Sequence, residues 1–276
     1  MIRADLHVHT YYSDGLLSPA EVVAEGIKNG LNAIAVTDHD CMLAFPEFSA
    51  VCREKGITAI SGIEISAYEK EVKIHTLGYN VNAESPCFKQ FYNKLYEGAI
   101  KRTEDIIYKL NKNGVRLNMD EVAKERKSPL SPIHAMHVAS AGSKKGYAKT
   151  AVSFYTKYLA YGKCAYSSIC RPSPEEAIEV INESGGFASL AHPGRIFMDR
   201  DKLLKLIAKL KACRLSGIEG VYSAHTQKET AYYKEIAKEF GLLVTGGSDT
   251  HALGGNRKIG TPPFYIDEAL ADKLKI

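Results

Sequence analysis

The stretch "DLHVHTYYSDG" near the start of the chain sets His7 and His9 two residues apart and places Asp14 one turn later. In an extended strand that spacing puts both imidazoles on one face. Either the face is wet or something positive waits there. The same residue types recur as Asp38 and His39 in "TDHD", Glu64 in "GIEIS" and His75 in "KIHTLGY", then as His192 in "LAHPGR" and as Asp249 and His251 in "GGSDTH". As free side chains, clustered carboxylates repel and need raised pKa values. Divalent cations remove that conflict by giving each ligand a positive partner. One such histidine would be ordinary, but the whole set points to metal. A single catalytic zinc uses about three protein ligands, so this many donors suit two or three divalent ions. Imidazole and carboxylate without thiolate suit manganese, iron or zinc, and Cys41 after "TDHD" is expected to be structural. Clustered ions hydrolyse phosphate esters without a nucleophilic side chain, and no Gly-x-Ser-x-Gly elbow is present. Amide or other ester hydrolysis by the same apparatus stays open.

Strands must present these groups. The runs "IRADLHV", "NAIAVTD", "ITAISGIEIS", "VKIHTLGYNV", "FASLAHP", "GIEGVYS" and "LLVTGGSD" alternate with helical patterns. The first helix is well marked, with Ser18 as N-cap, Pro19 at its first position and Gly30 closing it. Such alternation argues for a parallel sheet, open or closed, and about seven strands is near a barrel count. The acids and histidines fall at or near C-terminal strand ends, the face where parallel α/β architectures gather their active sites. Residues 93–163 break the rhythm with helices, the basic cluster "KERKSPLSPIH" and the loop "SAGSKKGYAK". They are expected to form an inserted helical subdomain, leaving 1–92 and 164–276 as the catalytic barrel domain. The tail "GTPPFYIDEALADKLKI" reads as a short closing segment.

Composition excludes some classes. The 276 residues carry a net charge of +4, compatible with an anionic substrate without demanding one. No apolar run approaches the ~20 residues of a membrane span, and the start of the chain lacks the pattern of a signal peptide. The six cysteines form no CxxC pair and read as reduced thiols of a cytoplasmic protein. Tryptophan is absent and the tyrosines are dispersed, so nucleic-acid binding by itself is poorly supported. Oligomeric state leaves no readable trace.

Taken in order, "DLHVHTYYSDG", "AVTDHD", "GIEIS", "IHTLGY", "LAHPGR" and "GGSDTH" resemble the motifs of the polymerase and histidinol phosphatase (PHP) family, over nearly the whole chain. The likeness is greatest to stand-alone phosphoesterases with a helical insertion that act on nucleotides. It implies a distorted (β/α)7 barrel with up to three metals. His7, His9, Glu64 and Asp249 would hold the first ion. Glu64 would bridge to a second held with His75 and His192, and Asp14, His39 and His251 would hold a third. Asp38 would orient His39 or a metal water. A metal-bridging hydroxide would attack phosphorus, with Asp249 accepting its proton. The implied substrate is a nucleoside 3',5'-bisphosphate or another small phosphorylated nucleotide, or the 5' end of a short RNA. Histidinol phosphate or another small phosphomonoester is the alternative, and a non-catalytic metal-binding module a further one.

Arg195 could fork onto phosphate or be a solvated loop arginine. His225, in "YSAHT", could protonate the leaving oxygen, contact phosphate, or merely precede a helix. Where relatives read Gly-Arg-Pro-His in the insertion, this chain has "SPIHAMH", so Pro132 replaces the phosphate-gripping arginine while His134 aligns with the histidine. His134 and His137 could equally be solvated or capping residues. Lys144, Lys145, Lys149 and Arg102 are candidates for the missing charge.

Overall fold

The seven expected runs are strands in the computed structural model, which describes residues 1–276. They are β1 (Ile2–Val8), β2 (Ala33–Val36), β3 (Thr58–Glu69), β4 (Val72–Tyr79), β5 (Phe187–Leu190), β6 (Gly217–Tyr222) and β7 (Leu243–Gly247). The closing segment supplies an eighth, β8 (Phe264–Ile266), antiparallel to the start of β1. One sheet runs in the order β7-β6-β5-β4-β3-β2-β1-β8. Beyond β7 the chain returns to β1, where Asp249 N donates to His7 O (2.7 Å) and His9 N to Thr250 O (3.0 Å). Those bonds bring the two ends of the sheet together into a nearly closed, distorted barrel.

The sheet is not parallel throughout. β4 runs antiparallel to both β3 and β5. The turn at Lys70 and Glu71 that joins β3 to β4 is far too short for a parallel crossover, which takes a dozen residues or more. His75 therefore lies in the first half of its strand, and reaches the catalytic end because that strand points backwards.

Helices α1 (Pro19–Lys28) and α2 (Phe45–Lys55) cover one side, and α7 (Pro174–Glu183), α8 (Arg200–Ala212) and α9 (Gln227–Phe240) the other, with α10 (Glu268–Leu274) at the end of the chain. α1 starts as its sequence predicts: Ser18 accepts from Glu21 N, the Glu21 side chain accepts from Ser18 N, and Pro19 opens the first turn. Strand alternation sorts the apolar side chains. Ala33 and Ala35 point into the barrel with Leu6, Leu77 and Phe187, whereas Ile34 and Val36 pack outward with Val22 and Phe48. β1 departs from this rule. Its register against β2 shifts between Asp5 and Val8, so Leu6 faces the barrel interior while Val8 packs outside. That irregularity re-aims the end of the strand, as bulges beside active sites do.

Between β4 and α7 lie α3 (Pro86–Lys112), α4 (Met119–Ala123), α5 (Ala135–Lys144) and α6 (Ala151–Phe154). Phe88, Phe91 and Leu95 of α3 pack with the barrel's outer core, while Ile106 and Leu110 join a separate apolar cluster with Val138, Phe154 and Leu159. The boundary expected at residue 93 thus falls inside one continuous helix, which anchors the helical unit to the barrel. No helix is long and apolar enough to cross a membrane.

Candidate metal centre

Glu64 is the hub. It sits in β3, almost fully buried, and its two oxygens face five imidazoles. Oε2 lies 3.2 Å from His7 Nε2, 3.1 Å from His9 Nε2 and 3.1 Å from His39 Nδ1; Oε1 lies 2.6 Å from His75 Nδ1 and 2.8 Å from His192 Nε2. Asp249, past the end of β7, brings Oδ1 to 3.6 Å from His7, 3.2 Å from His9 and 3.4 Å from His251. Asp14, in the turn after β1, lies 3.3 Å from His251 Nε2 and 3.9 Å from His9 Nδ1. Three groups have ligand atoms close enough to share an ion: His7, His9, Glu64 and Asp249; His39, Glu64 and His75; and His9, Asp14, His39 and His251. All nine residues expected to be ligands are gathered here, with His192 joined to the second group through Glu64 and His75.

The donors fit a cation. His9 Nδ1, Asp14 Oδ1, Glu64 Oε2, His75 Nε2 and His192 Nδ1 are buried without a hydrogen bond, a costly arrangement unless something else satisfies them. Cys41 is buried and burial pushes its thiol well up, so it offers no thiolate. Without a cation the charges divide unevenly. Burial would lower His9, but the carboxylates of Asp249 and Glu64 outweigh it and raise it to about 10. His7 is likewise held well up against burial by Glu219, Glu64 and Asp249. His75 is driven down to about 3, chiefly by burial.

Two of the gathered residues rest on unusual backbone. His192 has φ of 27° and Asp249 of 55°, conformations that a side chain seldom adopts and that cluster at functional sites. Glu219 fixes the first: one of its oxygens accepts from His192 N (2.7 Å), the other pairs with His7 Nδ1 (2.9 Å). Gly247 permits the close approach of β7 to β1, since a Cβ there would stand 2.5 Å from His7 Cβ.

The remaining expected residues are placed differently. Asp38 makes no hydrogen bond to His39; it accepts from Thr10 N (2.8 Å), Thr10 Oγ1 (2.7 Å) and Ser13 Oγ (2.6 Å), so it secures the turn that carries Asp14. Arg195 leaves about half of its side chain in solvent (52% exposed), yet its Nη1 reaches Tyr222 Oη (3.1 Å) and Asp249 Oδ2 (3.4 Å). His225 is not brought to the cluster. It packs between Tyr222 and Tyr233, with its Nδ1 buried and its Nε2 3.4 Å from Gly194 N, under the turn that carries Arg195. There it supports that turn. Asp249 is a weak proton acceptor, because Oδ2 already receives hydrogen bonds from Tyr222 Oη (2.8 Å), Arg195 and Arg257.

In the insertion His134 and His137 are both buried, and His137 Nδ1 accepts from His134 N (3.0 Å), a capping role. The His134 ring lies 6.0 Å from that of His39. Lys144 and Lys145 pair with Glu125 and Glu121 within the insertion, Lys149 is exposed, and Arg102 donates to Ile169 O (3.2 Å). Sequence reasoning passed over Glu219, Tyr222 and Arg257. Glu219 had a signal, as the one charge in the strand "GIEGVY"; Arg257, in a glycine-rich loop, had none.

Comparisons with known proteins bear on the family and the fold. The PHP domain family profile matches residues 5–242. A 3',5'-nucleoside bisphosphate phosphatase of Chromobacterium violaceum is 31% identical over 264 residues, 94% of this chain and 91% of its own. A 5'-3' exoribonuclease of Haemophilus influenzae is 31% identical over 271 residues, 97% of each chain. Among solved structures, an amidohydrolase of Chromobacterium violaceum, determined with sulfate and no metal, matches with a TM-score of 0.87 and 28% identity over 99% of this chain and 95% of its own.

Proposed function

The chain belongs to the PHP-domain family, and from that premise we propose that it is a metal-dependent phosphoesterase releasing phosphate from a small nucleotide, such as a nucleoside 3',5'-bisphosphate, or acting on short RNA 5' ends. The observation that carries this reading is the ring of five imidazoles around Glu64. The activities named for the two relatives meet in a phosphorylated ribonucleotide.

His7, His9, Glu64 and Asp249 would hold one ion, Glu64, His75 and His192 a second, and Asp14, His39 and His251 a third. Divalent cations bound there supply Lewis-acid charge to phosphoryl oxygens and lower the pKa of water. The protein's own residues do the rest. Arg195 and Arg257 crowd Asp249 Oδ2 at the rim, and each guanidinium can fork onto an incoming phosphate. Tyr222 fixes the carboxylate between them. Glu219 sets the His7 tautomer through Nδ1, leaving Nε2 free for a ligand bond.

Purified protein loaded with manganese, iron or zinc should release phosphate from nucleoside 3',5'-bisphosphates or shorten 5'-phosphorylated RNA. Turnover of histidinol phosphate alone would move the reading to a small-molecule phosphatase. A panel that yields products only from amides or carboxylic esters would overturn it.

A further inference from the structure

The β3–β4 hairpin overshoots the barrel, and its inner face carries more than metal ligands. Glu64 pairs with Leu77, Ser66 with His75 and Tyr68 with Lys73, so alternation places Glu64, His75, Tyr68 and Lys73 on one face. Leu77 on that face lies in the barrel interior, which makes Lys73 the outermost residue of a row rising from the core past His75. Two residues of strand separate Lys73 from His75, about 7 Å. Its ammonium has no carboxylate bound to it, although Glu64, Asp14, Arg171 and Arg195 all lie within range of its charge.

Arg171 approaches the same place from the strand-free return of the insertion. Its guanidinium stands 5.8 Å from the Tyr68 ring centroid, and Nη1 donates to Asp40 Oδ2 (2.8 Å), next to His39. Nε is buried and has no acceptor. The segment that presents it is fixed on both sides: Tyr68 N donates to Pro172 O (2.9 Å), and the buried Arg102 donates to Ile169 O (3.2 Å). His134 Nε2, also buried without a partner, completes the wall near His39. Two cations thus flank Tyr68: Arg171 binds one carboxylate, Asp40, and keeps Nε unused, while Lys73 binds none.

We propose that Lys73 and Arg171 form a second anion site at the mouth of the metal centre, taking a phosphate that lies across a ribose from the scissile one. This rests on the phosphoesterase reading. The chemistry is shared by a free nucleoside bisphosphate and by a 5'-phosphorylated RNA, whose terminal phosphate and first linkage flank one ribose.

The test compares adenosine 3',5'-bisphosphate and a 5'-phosphorylated diadenylate with the two adenosine monophosphates. In Lys73→Met the ratio of bisphosphate to monophosphate kcat/KM should fall about tenfold, through the loss of one charge-assisted hydrogen bond, and Lys73→Arg should restore much of it. Arg171→Met should shift the ratio the same way. A fall confined to the bisphosphate assigns the site to free nucleotides; a parallel fall for the diadenylate extends it to RNA ends. An unchanged ratio in Lys73→Met overturns the proposal. Equilibrium dialysis on metal-free protein gives a reading independent of turnover: the bisphosphate should bind more tightly than either monophosphate, and Lys73→Met should erase the difference. If the loaded wild type cleaves none of the four compounds, the phosphoesterase reading fails, while dialysis still decides whether the anion site exists.

Discussion

Two buried carboxylates organise the site, and their surroundings are opposite. Both oxygens of Glu64 face imidazoles only. Asp249 turns Oδ1 to imidazoles and Oδ2 to Tyr222, Arg195 and Arg257. A neutral imidazole can give its lone pair to a cation, whereas a guanidinium cannot. The Glu64 side is therefore built to receive positive charge. At the outer oxygen of Asp249 the protein already provides it, and that rim is suited to receive an anion. On the proposed function, the difference would separate the metal positions from the entry of substrate phosphate.

Breaking the Glu64 side should have the largest effect. Glu64→Gln leaves five imidazoles without their shared charge, so metal content measured by elemental analysis should collapse. Activity should fall by roughly a thousandfold or more, because Lewis-acid stabilisation is worth several kcal/mol. Retained metal with full turnover would reverse the division of roles. Glu219→Gln, which touches His7 and His192 from behind, should cost about ten- to a hundredfold in metal affinity or activity; chelator competition reads it directly.

On the Asp249 side, Arg257→Met should raise KM about tenfold while leaving metal content intact, the loss of one charge-assisted hydrogen bond to phosphate. A drop in metal content instead would show that the arginine serves the ions. The smallest effect sharpens the comparison through pH. His9 is raised to about 10 in the metal-free protein, where the carboxylates of Asp249 and Glu64 outweigh burial, against about 6.5 when unfolded. The folded state thus binds more protons between those values, so its extra stability is complete below about pH 6.5 and fades as pH rises towards 10. Denaturant unfolding of chelator-treated protein across this window should show the loss. Metal affinity should climb over the same range, since ligation needs the deprotonated ring.

Much of this was legible from the chain. The strand runs, the α1 cap and the clustering of histidines and acids followed from local patterns, because a strand end followed by His or Asp is a short-range feature. What escaped depended on partners far away in sequence. β4 reads like any other strand, and only its short turn and its pairing reveal the reversal that carries His75 to the rim. Asp38 and His225 lie at the right end of the barrel, yet one secures the Thr10–Ser13 turn and the other supports Gly194. Position along a strand does not specify which neighbour a side chain meets.

By itself, then, the sequence determined the donor chemistry: imidazole and carboxylate at successive strand ends, without thiolate, in an alternating α/β chain. Tertiary structure decided which donors come close enough to share an ion and which charges surround them. The Asp5–Val8 irregularity turns His7 and His9 inward, and barrel closure sets Asp249 against them. Glu219 gains its meaning from that closure, and Lys73 and Arg171 gain theirs from the β3–β4 hairpin and the return of the insertion. Electrostatic interaction depends on distance in space, and residues far apart along the chain reach hydrogen-bonding range only when the sheet curls.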